Sequence, residues 1–358
     1  MSGKMEKIDP NFKIAGVIPE GTTFYDARQN PFEIYGLAPD PEGRFLRFPA
    51  SLFPQCSEEL RELAFHLAGG CVRFSTDADQ LSVLWELTEK ENMPHFAASG
   101  QSGLDLYEES DAGIRLVKTF LPRMDGGCGC LLNQTGVAKL PGGRRSYALY
   151  LPLYNGLKQL MLGVGPGFTF SEGRKPKLGK PLVFYGSSVT QGGCAMKPAS
   201  AYPAILGRRF DAPVINLGFS GNGKGEEFMA RYIATLDMSA FILDYDYNAP
   251  TTEHLAATHE PFYRIVREAH PDLPILMASK SDVDADPERT PPRRKVILNT
   301  YYHALEAGDK NVYFLDGSLM FGNRDREMCT VDGAHPTDLG FLRMADFIEP
   351  VLRRALGE

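Results

Sequence analysis

Pro181-Leu182-Val183-Phe184-Tyr185-Gly186-Ser187-Ser188-Val189-Thr190-Gln191-Gly192 is an apolar run of strand length that stops on a glycine, then two serines, then a short stretch closed by a second glycine. A run so short and so uniformly apolar suits a strand buried on both faces. Glycines at both ends of the turn let the backbone reverse sharply and stay open to a ligand, which puts Ser188 at the strand tip. Gly-Ser-Ser alone is also read as a strand-to-helix turn whose serines serve only as helix caps.

Downstream the same pattern repeats. Compact apolar runs at residues 181–185, 214–217, 241–243, 274–277 and 312–315 alternate with longer stretches of helical spacing. Residues 252–269 place Leu255, Phe262, Ile265, Val266 and Ala269 on one stripe that should pack on a sheet. Strand and helix in alternation call for a parallel sheet with right-handed crossovers and helices on both faces. In such sheets ligands bind beyond the carboxyl ends of the strands. A further helix is expected at residues 296–307 and a terminal one at 338–355. The Pro-rich, charged residues 281–294 read as a solvated loop or a lid.

Upstream the period changes. Between about Phe24 and Phe170, short runs such as Cys71-Val72-Arg73-Phe74-Ser75 and Leu81-Ser82-Val83-Leu84-Trp85-Glu86-Leu87 alternate apolar and polar positions. That is the mark of half-buried antiparallel strands, and many of them with Gly-rich turns imply a β-sandwich. Trp85, the single tryptophan, reads as core rather than as a sugar-stacking platform. The polar residues 171–180 carry Gly and Pro and form the best linker. Two domains are therefore expected, residues 1–175 and 176–358, in keeping with a prior of ~150 residues per domain.

Composition narrows the function. A net charge of −7 without a long Lys/Arg run argues against nucleic acid as a partner. No segment approaches the ~20 apolar residues of a membrane span, and residues 1–20 lack an apolar stretch of signal-peptide length, so no membrane partner and a cytoplasmic location are expected. The six cysteines, at 56, 71, 128, 130, 194 and 329, lack metal-ligand spacing and read as reduced thiols, with Cys128-Gly129-Cys130 a Gly-rich loop. Homo-oligomerisation stays open.

Two further strand ends and one late turn carry candidate chemistry. Asn216-Leu217-Gly218-Phe219-Ser220-Gly221-Asn222 follows the second run, and Gly221 could bring a backbone N–H close to a reacting carbonyl. Asp244-Tyr245-Asp246-Tyr247-Asn248-Ala249-Pro250 follows the third, where the Asn248 amide could complete an anion pocket or simply end a turn. Asp332-Gly333-Ala334-His335-Pro336 places an Asp three residues before a His on a short loop, a spacing that can orient an imidazole toward a nucleophile. His254, His259 and His270 fall in or beside one helix and read as surface or packing residues.

In this order, the serine block, the glycine block, Asn248 and the Asp-x-x-His block resemble the SGNH/GDSL hydrolase superfamily over roughly residues 180–358. Two positions depart from that pattern: Ser187 stands where an acidic residue is usual, and Asp246-Tyr247-Asn248-Ala249 replaces Gly-x-Asn-Asp. The resemblance implies a flavodoxin-like α/β sheet flanked by helices, preceded by a jelly-roll-like all-β sandwich as in two-domain carbohydrate esterases. It implies Ser188, Asp332 and His335 as catalytic residues, and an oxyanion hole from Ser188, Gly221 and Asn248, with no metal or cofactor. The implied substrate is a small-molecule or oligosaccharide ester, with O-acetyl groups on xylan- or mannan-derived oligosaccharides favoured. An acyltransferase, a lipase acting on a non-carbohydrate ester, and a sugar-binding protein with an inactive hydrolase half are the alternatives.

Overall fold

The computed structural model describes residues 8–9, 16–90, 92–125 and 129–358, so Cys128 lies outside the described residues. Two compact units divide the chain. The first holds the residues up to Leu46, Phe65–Lys175 and Met196–Ala199; the second holds Arg47–Ala64, Pro176–Ala195 and Ser200–Glu358. An early segment, Arg47–Ala64, thus belongs to the unit that carries the candidate site.

In the first unit lie β1 (Thr23–Asp26), β2 (Glu33–Tyr35), β3 (Cys71–Thr76), β4 (Gln80–Leu87), β5 (Leu104–Ser110), β6 (Gly113–Phe120), β7 (Asn133–Lys139), β8 (Arg145–Tyr150), β9 (Leu157–Val164) and β10 (Phe170–Ser171). They pair antiparallel into two sheets, β1-β9-β4-β7 and β10-β3-β8-β5-β6, with β2 also beside β3. The period-two pattern decides which side chains turn inward. Leu81, Val83, Trp85 and Leu87 of β4 share one core with Val72 and Phe74 of β3 and Leu104 and Leu106 of β5. Trp85 is buried and donates its indole N–H to the Ser102 carbonyl at 3.3 Å, so it is a core residue whose polar atom is satisfied.

The second unit is built on β11 (Leu182–Gly186), β12 (Val214–Gly218), β13 (Ala240–Asp244), β14 (Ile275–Ala278) and β15 (Val312–Leu315). All neighbours are parallel, in the order β12-β11-β13-β14-β15. That is the 2-1-3-4-5 order of a flavodoxin-like sheet, whose crevice opens where successive crossovers leave in opposite directions, here beside the end of β11. β11 and β13 are buried at every position, as strands covered on both faces must be.

Thr252–Ala269 is a helix over the whole expected range, capped by the Thr251 side chain on the His254 N–H. Leu255, Phe262 and Val266 of its stripe are buried, Ile265 is half-buried, and Ala269 in the last turn is exposed. The helix expected at residues 296–307 runs instead from Thr290 to Glu306. Its prolines occupy the first turn, where a missing N–H breaks no intrahelical bond, so part of the stretch read as loop is helical. The terminal helix is Asp338–Leu356, capped by Thr337. Among the described residues Cys56, Cys71, Cys130, Cys194 and Cys329 are buried and form no disulfide. Among the described residues no helix is long and apolar enough to cross a membrane.

Candidate active site

β11 ends at Gly186, where a Cβ would lie 2.0 Å from the Thr190 hydroxyl oxygen and 2.5 Å from the Asp244 carbonyl oxygen, so only glycine lets the turn fold this tightly. Ser187 is extended and caps the short helix Ser188–Gln191, its Oγ accepting the Val189 N–H at 3.2 Å. Ser188, the first residue of that helix, presents its hydroxyl to His335. The two serines that the sequence sets side by side therefore have different tasks, one capping and the other facing the imidazole.

Beneath the turn sits a buried polar network. The Thr190 hydroxyl donates to Asp244 Oδ2 at 3.1 Å and the Tyr202 hydroxyl to the same oxygen at 2.8 Å. Burial pushes the Asp244 carboxyl up to about 7, against the opposing pull of those two hydrogen bonds. Asn216 ties the turn to β12, its amide donating to the Thr190 carbonyl at 2.7 Å while its Oδ1 accepts the Gly218 N–H at 2.9 Å.

The loop after β12 folds back on the same turn. The Phe219 N–H donates to the Gly186 carbonyl at 2.9 Å, and the Ser220 N–H to Gln191 Oε1 at 2.9 Å. Gly221 has φ +67°, and a Cβ there would meet nothing within 4 Å, so its approach side is open. Among the described residues no group accepts its N–H. Asn248 lies in the single turn Asp246–Asn248 after β13. Its amide donates to the Phe219 carbonyl at 2.8 Å, which joins the two loops and leaves the second amide hydrogen without an acceptor among the described residues. Arg293 holds that turn from the helix Thr290–Glu306: its Nε donates to Asp246 Oδ1 at 2.7 Å and its Nη2 to the carbonyls of Asp246 and Ala249.

The Asp332–His335 turn is closed by a bridge between Thr330 and Pro336, and Gly333 takes φ +87° at its tip. Asp332 Oδ1 accepts the N–H groups of Ala334 at 3.0 Å and His335 at 2.8 Å, while its Oδ2 lies 2.7 Å from His335 Nδ1. Burial by itself would raise the Asp332 carboxyl, but the hydrogen bonds from His335 and Ala334 outweigh it and hold the group down to about 2. An ionised carboxylate only accepts, so Nδ1 carries the ring proton and Nε2 is the acceptor. Nε2 lies 2.9 Å from Ser188 Oγ. A nucleophile, a base and an orienting acid are thus joined in one chain of hydrogen bonds, the geometry that acyl transfer through serine requires.

All five residues named from the sequence lie beyond the carboxyl ends of the strands of the sheet. Ser188, His335 and Asp332 meet directly, and Gly221 and Asn248 stand on the two loops that flank the end of β11. Sequence reasoning missed Asp244, Tyr202 and Arg293. A buried Asp at the end of an otherwise apolar strand was a signal for the first; the other two meet their partners across 42 and 47 residues and leave no local mark.

Residues 179–353 match the GDSL-like lipase/acylhydrolase family, and residues 22–170 match the N-terminus of SGNH-hydrolase-type esterases. No curated protein matches the chain. Among solved structures, a protein assigned as a GDSL-like lipase from Bacteroides ovatus is 29% identical with a TM-score of 0.84, covering 94% of this chain and 98% of its own. The salicylyl-acyltransferase of a tetracycline biosynthetic pathway (19%, TM-score 0.74, 95% and 99% covered) has the same fold. So does an acetyl xylan esterase from the rumen bacterium Butyrivibrio proteoclasticus (13%, TM-score 0.56, 94% and 99% covered). With its C-terminal half matching one family model and its N-terminal half the domain that accompanies it, the chain belongs to the SGNH/GDSL hydrolase superfamily, as an esterase/acylhydrolase of the SGNH type.

Proposed function

We propose that the protein is a serine esterase that removes acyl groups, O-acetyl above all, from carbohydrates such as xylan- or mannan-derived oligosaccharides. The observation that carries the reading is the continuous path from Asp332 through His335 to Ser188.

His335 Nε2 takes the Ser188 hydroxyl proton as Oγ attacks the ester carbonyl carbon. The carbonyl oxygen becomes an oxyanion, received by the backbone N–H groups of Ser188 and Gly221 and the spare amide hydrogen of Asn248. Asp332, ionised because its carboxyl is held near 2, stabilises the imidazolium without taking its proton. The imidazolium then protonates the leaving alkoxide as the ester C–O bond breaks, which leaves an acyl group on Ser188. Water enters, gives a proton to the same nitrogen, attacks the acyl carbonyl and releases the acid, with the Ser188 hydroxyl restored.

Support for a carbohydrate acetyl ester comes from the two-part fold that the chain has in common with an acetyl xylan esterase. The test is time-resolved mass spectrometry of acetylated xylo- and manno-oligosaccharides, with aryl esters of longer acyl chains alongside. Fastest release of acetate from the saccharides supports the reading; preference for the long-chain aryl esters turns it toward lipase action. Adding an acceptor alcohol distinguishes hydrolysis from transfer by the products formed.

A further inference from the structure

Arg47 is 1% exposed and buried in the unit that carries the site, although it lies 169 residues before Asn216 in the chain. A guanidinium taken out of water needs its donors satisfied. Here Nε and Nη2 donate to the Leu63 carbonyl at 3.2 and 2.6 Å, at the end of the helix Glu58–Leu63. Nη1 donates to the carbonyls of Asn216 and Gly218, the last residues of the strand that leads into the Gly221 loop. The guanidinium carbon also lies 4.4 Å from the centroid of the Phe219 ring, whose other contacts include an edge from Phe48 at 5.5 Å between centroids.

These contacts converge on the stretch that has to aim the Gly221 N–H. The Gly218 carbonyl fixes the strand end and the ring fixes Phe219. The Phe219 carbonyl in turn accepts the Asn248 amide at 2.8 Å and the N–H groups of Asn222 and Gly223 at 3.0 and 3.1 Å. We infer that Arg47 is a positioning residue for the oxyanion hole: a part of the chain outside the C-terminal family match sets the geometry of the Gly221 and Asn248 donors. Lysine would keep the charge but lose the planar fork that reaches two carbonyl sites and stacks on a ring. A catalytic group displaced by ~1 Å costs on the order of 10²-fold in rate, so loss of the clamp should be read in kcat.

The inference rests on the esterase reading, and its test separates the two. Full-length Arg47→Lys and Arg47→Gly are compared with wild type in turnover of p-nitrophenyl acetate and in hydrogen exchange of backbone amides. For Arg47→Lys the expected result is a kcat lower by about 10²-fold with KM within about threefold, and an acid limb of the pH profile that does not move, because the Ser188–His335–Asp332 path is untouched. Guanidinium added to Arg47→Gly should restore part of kcat. Amides of residues 216–223 should exchange faster in both variants while those of 330–337 do not change. Exchange reads the loop without turnover, so an inactive wild type with Arg47-dependent exchange sinks the esterase reading and supports the positioning role. Unchanged exchange at 216–223, an equal rise at 330–337, or a kcat within about threefold of an active wild type overturns the inference.

Discussion

The Nε2 of His335 stands 2.9 Å from the Oγ of Ser188 although 147 residues separate them, because β11 and the last loop of the second unit both open at the carboxyl end of one parallel sheet. His335 is held to this position by its own turn, through three hydrogen bonds to Asp332 from the ring, its own N–H and the N–H of Ala334.

Asp332→Asn tests that turn. The amide Nδ2 would donate toward His335 Nδ1 and drive the ring proton to Nε2, where it can no longer accept from Ser188. Turnover of p-nitrophenyl acetate should fall by on the order of 10⁴-fold, with the melting temperature lowered by only a few degrees. A loss below about tenfold would mean that the tautomer is set by something else.

Ser187 and Ser188 should separate cleanly. Ser187→Ala removes the cap on the Val189 N–H and costs about 1 kcal/mol of stability, measured by urea unfolding, while kcat stays within about threefold of wild type. A collapse of kcat in Ser187→Ala would show that the cap, or Ser187 itself, belongs to the chemistry.

The two flanking donors carry a smaller share. Asn248→Ala should lower kcat by about 10²-fold, since it deletes one donor and also the bond that ties its loop to Phe219. Gly221→Ala meets open space but must hold φ +67°, so it should lower kcat through a shifted N–H rather than a clash. Pre-steady-state bursts locate the effect: slowed acylation is expected in both, and unaltered acylation in either removes that residue from the hole.

Two buried groups give opposite pH signatures in stability. His259, buried with Nδ1 3.0 Å from the Thr300 hydroxyl, is pushed down to about 3 by burial from an ordinary 6.5. The unfolded chain therefore binds its proton first, and stability falls as pH drops through that window. Asp244, raised by burial to about 7 from 3.8, binds its proton more tightly in the fold, so stability falls as pH rises from 3.8 to 7. Between 3.8 and 6.5 the two nearly cancel. Unfolding free energy plotted against pH for Asp244→Asn should slope upward relative to wild type by about 1.4 kcal/mol per pH unit, and for His259→Gln downward by as much. Parallel curves would mean that neither group is perturbed in the fold.

What the sequence made legible was whatever repeats locally. Five apolar runs and the glycines and serines that end them marked the parallel sheet and its carboxyl edge, and strand ends fall within a residue or two of where periodicity put them. The Asp-x-x-His spacing was legible because its geometry is confined to one turn. The choice between Ser187 and Ser188 was not, since both satisfy the same local pattern and only the fold, with the Ser187 cap on Val189 and the approach of His335 to Ser188, tells them apart. Arg47 and Arg293 could not be read either, because each donates to backbone carbonyls far away in the chain, and a carbonyl has no sequence signature. The early start of the helix at Thr290 was hidden by two prolines that the first turn of a helix tolerates.

The central claim is that Ser188 carries the acyl group. Wild-type protein mixed rapidly with p-nitrophenyl acetate, quenched in acid and digested should yield the peptide containing Ser187 and Ser188 with one acetyl group, placed by fragmentation on Ser188, and the adduct should decay at the rate of turnover. Acetyl on Ser187, or full turnover with no adduct and undiminished activity in Ser188→Ala, would contradict the account.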